Sequence, residues 1–319
     1  LDLLGSVAPV GLPPLLSSFV GRDDEVLAIS EQVATRRLVT LVGPGGVGKT
    51  RLAIEVARGL TGRFVGGVWV AELAGVDDGA LVAGEVATAL GVVEGSSCGL
   101  IDRVASFVNG RHGLLVMDNC EHLSASVSAT LATLLGGCPR LHVLVTSRTP
   151  LGTEGEVIWR TEPLAVEPER SASAEADQAP NGAVRLFLDR AAAAQPSLEM
   201  TGETISLARK VCLHLAGLPL AIELAAARLR MMSLPHLYDR LDDQFVLLTG
   251  GPADAVAHHH AMRATLDWSY DLLDGPGRSL FRRLSVFRGG FTLETAERFH
   301  ARFPGAEGNA LQCVGHLVD

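Results

Sequence analysis

No stretch of this sequence approaches the ~18 consecutive apolar residues that a membrane-spanning helix needs. The chain is therefore expected to be soluble, with no membrane partner. Cysteine is sparse. Cys98, Cys120, Cys138, Cys212 and Cys313 are odd in number and scattered, and none forms a C-x-x-C pair. That pattern argues against a metal or disulfide framework and for buried thiols in a reducing cytoplasm. Basic charge is not in excess either. The net charge of -9 argues against broad electrostatic binding of DNA by this segment. Lysine is nearly absent: only Lys49 and Lys210 occur among 27 basic residues. With abundant Ala and Gly, this is the drift that a GC-rich genome imposes, so a lysine kept inside a glycine loop stands out. There is no charged-then-apolar leader, and the chain starts at Leu1. We expect a piece of a longer, cytoplasmic protein.

What is present is a long apolar chain with a clear change of pattern. Its 319 residues and 47% hydrophobic content suggest about two or three domains. Residues 1–16 carry Gly11-Leu12-Pro13-Pro14 and read as a linker. Helical spacing over 24–36 precedes a β-rich run, Arg37 to Val42, which ends in a glycine loop. Helix formers follow over 51–60. Further strand-like runs are 67–71, 114–118, 141–146 and 157–160, with helical stretches near 79–91, 100–109 and 124–136. Apolar strands alternating with helices predict a parallel sheet covered on both faces. This α/β domain is expected over 17–164. A linker rich in Ala, Ser, Glu and Pro follows over 165–182. Beyond it no strand is evident, and helices near 183–195, 202–216, 219–230 and 235–248 predict an all-α domain over 183–250. A last segment, 251–319, holds short helices near 263–273, 277–287 and 293–299.

The chemistry starts at Gly43-Pro44-Gly45-Gly46-Val47-Gly48-Lys49-Thr50. A G-x-x-x-x-G-K-[ST] loop between strand and helix turns its backbone N–H groups inward as a nest for phosphate oxygens. The helix that follows adds its positive end. Lys49 would reach the β- and γ-phosphates, Thr50 would place a hydroxyl on Mg²⁺, and Arg51 comes next in the same cofactor-binding set. The apolar run 114–117 ends in Asp118, the expected Mg²⁺-organising carboxylate. Asn119 follows it where a vigorous hydrolase would often carry an acid, and Glu121 is the nearest candidate to orient water. Arg148, in Thr146-Ser147-Arg148 at the next strand end, could read the γ-phosphate from the side opposite Lys49, because ligands of parallel sheets sit at the carboxyl ends of strands. Neither lysine follows an Asn, so the N-K-x-D element of guanine recognition is absent. The expected ligand is ATP or ADP. No L-S-G-G-Q-like run is present, which counts against a transporter-type ATPase. His258-His259-His260 is read as part of a loop and not as a metal site, since consecutive histidines share no face. Trp69 and Trp159 are read as core or sheet-edge residues.

Several pieces occur in an order that resembles one family: Phe19-Val20-Gly21-Arg22, the glycine loop, Asp118-Asn119-Cys120-Glu121-His122, Thr146-Ser147-Arg148 and Gly217-Leu218-Pro219-Leu220. Together they resemble the STAND class of signalling ATPases, of the NB-ARC type, and most closely the bacterial AfsR and large LuxR regulators. The run 266–273 and Phe287-Arg288-Gly289-Gly290-Phe291 fit that subgroup. The resemblance implies a P-loop domain, a small helical domain and a winged-helix domain, the last truncated within 251–319. It implies that Val20 and Arg22 frame the adenine side and that Pro219 closes over the base. It implies an ADP-held, ATP-released switch with slow hydrolysis as the reset and self-association on activation. DNA contact is expected only through domains outside this chain, since the last segment has no strong basic stripe beyond Arg278, Arg282, Arg283 and Arg288. One departure is the lack of a Met-His-Asp motif. The alternatives are a fast-turnover P-loop ATPase or kinase, and a nucleotide-bound scaffold without hydrolysis.

Overall fold

A computed structural model describes residues 12–14, 17–93, 99–166, 181–246, 270, 275–287 and 291–302. The glycine loop leaves the strand β1 (Leu38–Val42) and enters the helix α2 (Lys49–Gly59). The other strands are β2 (Gly67–Glu72), β3 (Gly113–Asp118), β4 (Leu141–Ser147) and β5 (Val157–Arg160). All pairings are parallel and the order is β2-β3-β4-β1-β5. Every residue of β1 and β3 is buried, so these runs lack the polar alternation of a half-exposed strand. Only β5 alternates between half-buried and exposed positions, as befits an edge paired on one side with β1.

Helices cover both faces. On one, α3 (Val82–Leu90), α4 (Leu100–Val108) and α5 (Ser124–Gly137) pack through Val86, Val104 and Leu131 onto Leu115, Val143 and the buried Trp69. On the other, α1 (Asp23–Thr35) and α2 pack through Ile29, Leu52 and Val56 onto Leu41, Leu114 and Leu144. Trp159 lies on the edge strand, its indole N–H donating to Glu25 Oε1 at 3.1 Å. The predicted helix over 79–91 begins instead as a 3₁₀ turn at Gly79–Leu81, because the Asp78 side chain accepts from the Ala80 N–H and starts the chain turning early. The order of strands matters for function. Strand β4 lies between β1 and β3, so the loops after all three emerge side by side at the carboxyl edge.

Four helices follow: α6 (Gly182–Ala194), α7 (Gly202–His214), α8 (Pro219–Ala227) and α9 (Leu234–Val246). They share a separate core that includes Phe187, Val211, Leu215, Ile222 and Leu237. Their starts are legible in the sequence. Asn181 and Thr201 accept from the N–H groups of Val184 and Thr204, and Pro219 sits in the first turn of α8. Between α7 and α8, Ala216 and Gly217 take left-handed φ values of 51° and 66°. Gly217 is then pressed against the backbone after β5: Leu164 N–H donates to its carbonyl at 2.9 Å.

Helices Gly275–Leu284 and Leu293–His300 share a small cluster of Leu280, Leu284 and Ala296. The expected winged helix depends on residues largely outside the described ones, as do the helix at 263–273, His258–His260, Cys98, Cys313 and most of both linkers. Cys120, Cys138 and Cys212 are buried free thiols, and among the described residues no group of three or more His, Cys, Asp or Glu could hold a metal ion. No described helix is long and apolar enough to cross a membrane.

Candidate functional site

The glycine loop bends because its glycines allow it. Gly46 and Gly48 have φ values of 75° and 92°, a region that side chains disfavour. A Cβ on Gly43 would stand 2.7 Å from the Thr161 carbonyl oxygen, so the loop also needs glycine there for close packing against the chain after β5. Gly48 caps α2, which begins at Lys49. The helix's first N–H groups and positive end therefore open into the loop. Lys49 Nζ donates to the carbonyls of Gly43 at 2.8 Å and Pro44 at 3.0 Å. Burial lowers its pKa, with Arg148 adding to the effect while Glu121 and Asp118 oppose it.

The strand ends supply the oxygens. Asp118 is 3% exposed and accepts from Thr50 Oγ1 at 2.8 and 3.0 Å, and also from Thr146 Oγ1. Burial raises the Asp118 pKa, against the hydrogen bonds from Thr146 and Thr50. Thr146 is within reach because β4 lies beside β3. The same hydroxyl accepts from the Asn119 N–H at 3.0 Å, and Asn119 is left-handed at φ 60°. This kink throws the following 3₁₀ turn, Cys120–Leu123, outward and brings Glu121 to Arg148, Nε to Oε1 at 3.0 Å. The other Glu121 oxygen is buried and has no hydrogen-bond partner among the described residues.

A cavity of about 450 Å³ lies in front of the loop, within the ~300–1,000 Å³ usual for small-molecule sites. Gly45, Gly46, Val47, Gly48, Lys49, Thr50 and Arg51 form its floor. Asn119, Glu121 and Arg148 stand at one end; Phe19, Val20, Ile54, Leu164 and Leu186 make an apolar part. Pro219, Leu220 and Glu223 reach it from α8. The helical part is tied to the loop by a backbone bond, Leu220 N–H to the Gly46 carbonyl at 3.2 Å. Arg22 lines the cavity but is only 6% exposed, its guanidinium held by the carbonyls of Val47 at 2.9 Å and Glu162 at 2.7 Å and by Glu25. It braces the back of the loop.

Three of the expected site residues do not line this cavity. Gly43 and Pro44 line an adjoining recess with Arg148 and Thr161, and Asp118 reaches the cavity through Thr50. Sequence reasoning missed Ser18, Ile54, Leu164, Leu186, Arg190, Leu220 and Glu223. Ile54, Leu186 and Leu220 are apolar helix residues indistinguishable from ordinary core. Glu223 carries a signal that was available, an acid four residues after Pro219 and so on the same helix face.

The cavity thus joins an anion nest, the buried cations Lys49 and Arg22, a hydroxyl–carboxylate pair and an apolar wall, a set suited to a phosphorylated ligand with a flat apolar end. Comparison with known proteins agrees. An AAA domain family matches residues 32–148. An uncharacterized protein of Mycobacterium tuberculosis is 38% identical over 305 residues, covering 95% of this chain and 74% of the relative. A protein of the same organism named "Putative HTH-type transcriptional regulator" is 41% identical over 261 residues, covering 82% of this chain and 28% of the relative. Regulatory protein AfsR of Streptomyces coelicolor is 28% identical over 311 residues, covering 89% of this chain and 28% of its own length. Among solved structures, a STAND protein with a tetratricopeptide repeat sensor from Pyrococcus horikoshii superposes with a TM-score of 0.56 at 16% identity, covering 97% of this chain and 41% of that one. That likeness is one of fold. The glycine loop, the parallel sheet and the extent of the mycobacterial match lead to one conclusion: this chain belongs to the same family as the uncharacterized mycobacterial protein, carries a P-loop domain of the AAA type, and is related in sequence to AfsR-type regulators.

Proposed function

We propose that this chain is an ATP/ADP-binding switch with slow ATP hydrolysis, the regulatory core of a bacterial transcriptional regulator. One observation carries the reading: the phosphate loop and the helical part share one cavity, with Leu220 bonded to Gly46 and both Pro219 and Glu223 in its wall. A ligand filling that cavity touches both parts at once. ATP and ADP move such a system only by differing in affinity for its two arrangements. Lys49 and the loop N–H groups would hold the β- and γ-phosphates. Thr50 and Asp118 offer the hard oxygen donors that Mg²⁺ prefers, and the ion would supply charge neutralisation between phosphates. Arg148 has an exposed side chain and could swing toward the γ-phosphate on releasing Glu121. Glu121 and Arg148 are engaged with each other, which supports slow turnover. Self-association would follow activation, in the cytoplasm, and DNA would be met by domains outside this chain.

The unpartnered Glu121 oxygen favours a second reading, an ordinary hydrolase in which this carboxylate orients water. Turnover separates the two. The purified chain is expected to retain ADP, detected by chromatography after denaturation, and to hydrolyse ATP far below the ~1–10 s⁻¹ of ordinary enzymes. Lys49→Ala is expected to abolish retention. Unaided turnover within that range would sink the switch, and unchanged retention in Lys49→Ala would sink the site.

A further inference from the structure

One charged group in the cavity has no place in the reading above. Glu223 stands in the wall opposite the phosphate loop, where a carboxylate would repel a polyanion unless neutralised. It is neutralised twice. Arg51 NH1 lies 3.4 Å from it, and Arg190 contacts it through Nε at 3.1 Å and NH2 at 3.0 Å. All three contacts converge on Oε1. Among the described residues Oε2 takes no donor, although a carboxylate has about four lone-pair sites. The side chain is 33% exposed, so this acceptor is open.

The two arginines are themselves fixed. Arg51 NH2 donates to the carbonyls of Ser17 and Ser18, both at 2.5 Å, and Arg190 NH2 to the Ser18 carbonyl at 2.9 Å. Glu223 is thus held from α2, α6 and the Ser17–Ser18 segment together. Its position along α8 is equally defined. A Cβ on Gly48 would lie 3.9 Å from Pro219 Cγ, so Pro219 stands over the end of the phosphate loop. Glu223 is four residues on, about 6 Å along the axis. Arg51, its other neighbour, directly follows Thr50. The carboxylate therefore lines the same cavity as both the phosphate loop and the apolar residues Phe19, Val20 and Leu186. In a nucleotide, the group between phosphate and base is the sugar, which carries two hydroxyl donors.

Resting on the nucleotide reading, we propose that Glu223 is the ribose-recognition residue, its free Oε2 accepting from a sugar hydroxyl while Arg51 and Arg190 clamp Oε1. The site then selects ribonucleotides over deoxyribonucleotides. Binding to the 319-residue chain, stripped of nucleotide, is measured by calorimetry for ADP, 2′-deoxyADP, 3′-deoxyADP and inosine diphosphate. At least one deoxy analogue is expected to bind tenfold or more weaker than ADP, the scale of a hydrogen bond to a charged acceptor. Glu223→Ala is expected to bind ADP no better than the wild type binds that analogue, with the discrimination gone. Equal wild-type affinity for ADP and both deoxy analogues overturns the assignment. So does discrimination that persists in Glu223→Ala, or a Glu223→Ala variant that loses discrimination against inosine diphosphate instead, which would assign the carboxylate to the base amine. The wild-type comparison decides without the variant should Glu223→Ala not fold. Absence of ADP binding by the wild type would instead remove the nucleotide reading, and this one with it.

Discussion

Gly217 lies outside the phosphate loop, yet it has less room than Gly43 or Gly48 within it. Its φ is 66°, and a Cβ there would stand 2.1 Å from the Leu164 carbonyl oxygen. Gly217→Ala must push the chain after β5 away and break the bond from Leu164 N–H. The left-handed backbone alone costs about 1–2 kcal/mol for a residue with a side chain. The expected result is a lowered urea midpoint that corresponds to at least that loss of stability, with weaker nucleotide retention; an unchanged midpoint would contradict this packing. The sequence makes Gly217 legible as a helix terminator before Pro219, but not as a contact. The same split runs through the site. Lys49, Thr50 and Gly48 are readable because the nest is made of consecutive residues. Arg190 is not, because its partners Ser18 and Glu223 lie far from it in the chain.

Elements were easier to read than their arrangement. A run such as Leu114-Leu115-Val116-Met117 is apolar without alternation, and a strand buried on both faces needs that property. Helices α6 to α9 were legible as helical stretches, and the structure adds side-chain caps at Asn181 and Thr201. Strand order was not, because a parallel strand carries no mark of its neighbour. Yet that order brings Thr146 to Asp118, and so decides the surroundings of the carboxylate. The helical elements have their own core, with Phe187 fully buried at its centre. Phe187→Ala is expected to cost about 3–5 kcal/mol by urea denaturation. It should also accelerate ADP release, since α6 and α8 hold Arg190 and Glu223 against the ligand. A normal release rate in a destabilised variant would mean that the helical part does not grip the nucleotide.

At the scale of the whole molecule, the cavity is the junction. The sheet and the four helices bury separate cores, and they meet at Leu220 and Gly46, at Leu164 and Gly217, and in the wall around Pro219. A ligand bound there stabilises whatever it touches, by about 2.7 kcal/mol at a concentration one hundred times its Kd. Saturating ADP is therefore expected to slow amide hydrogen exchange at the start of α2 and in α8 together. Protection confined to the glycine loop would separate the two parts and remove the basis for a switch.

The sequence by itself determined the phosphate-loop motif and its place between strand and helix, since a nest of backbone N–H groups, a lysine and a hydroxyl are encoded in eight consecutive residues. It also determined the alternation of apolar strands and helices that makes a covered parallel sheet. Only the tertiary structure decided what walls the cavity in front of that loop. That wall is assembled from residues near 19, 51, 164, 190 and 220, brought together by burial of two cores and by strand order. Hydrophobic burial is non-directional, so no local pattern announces which distant side chains it will set face to face.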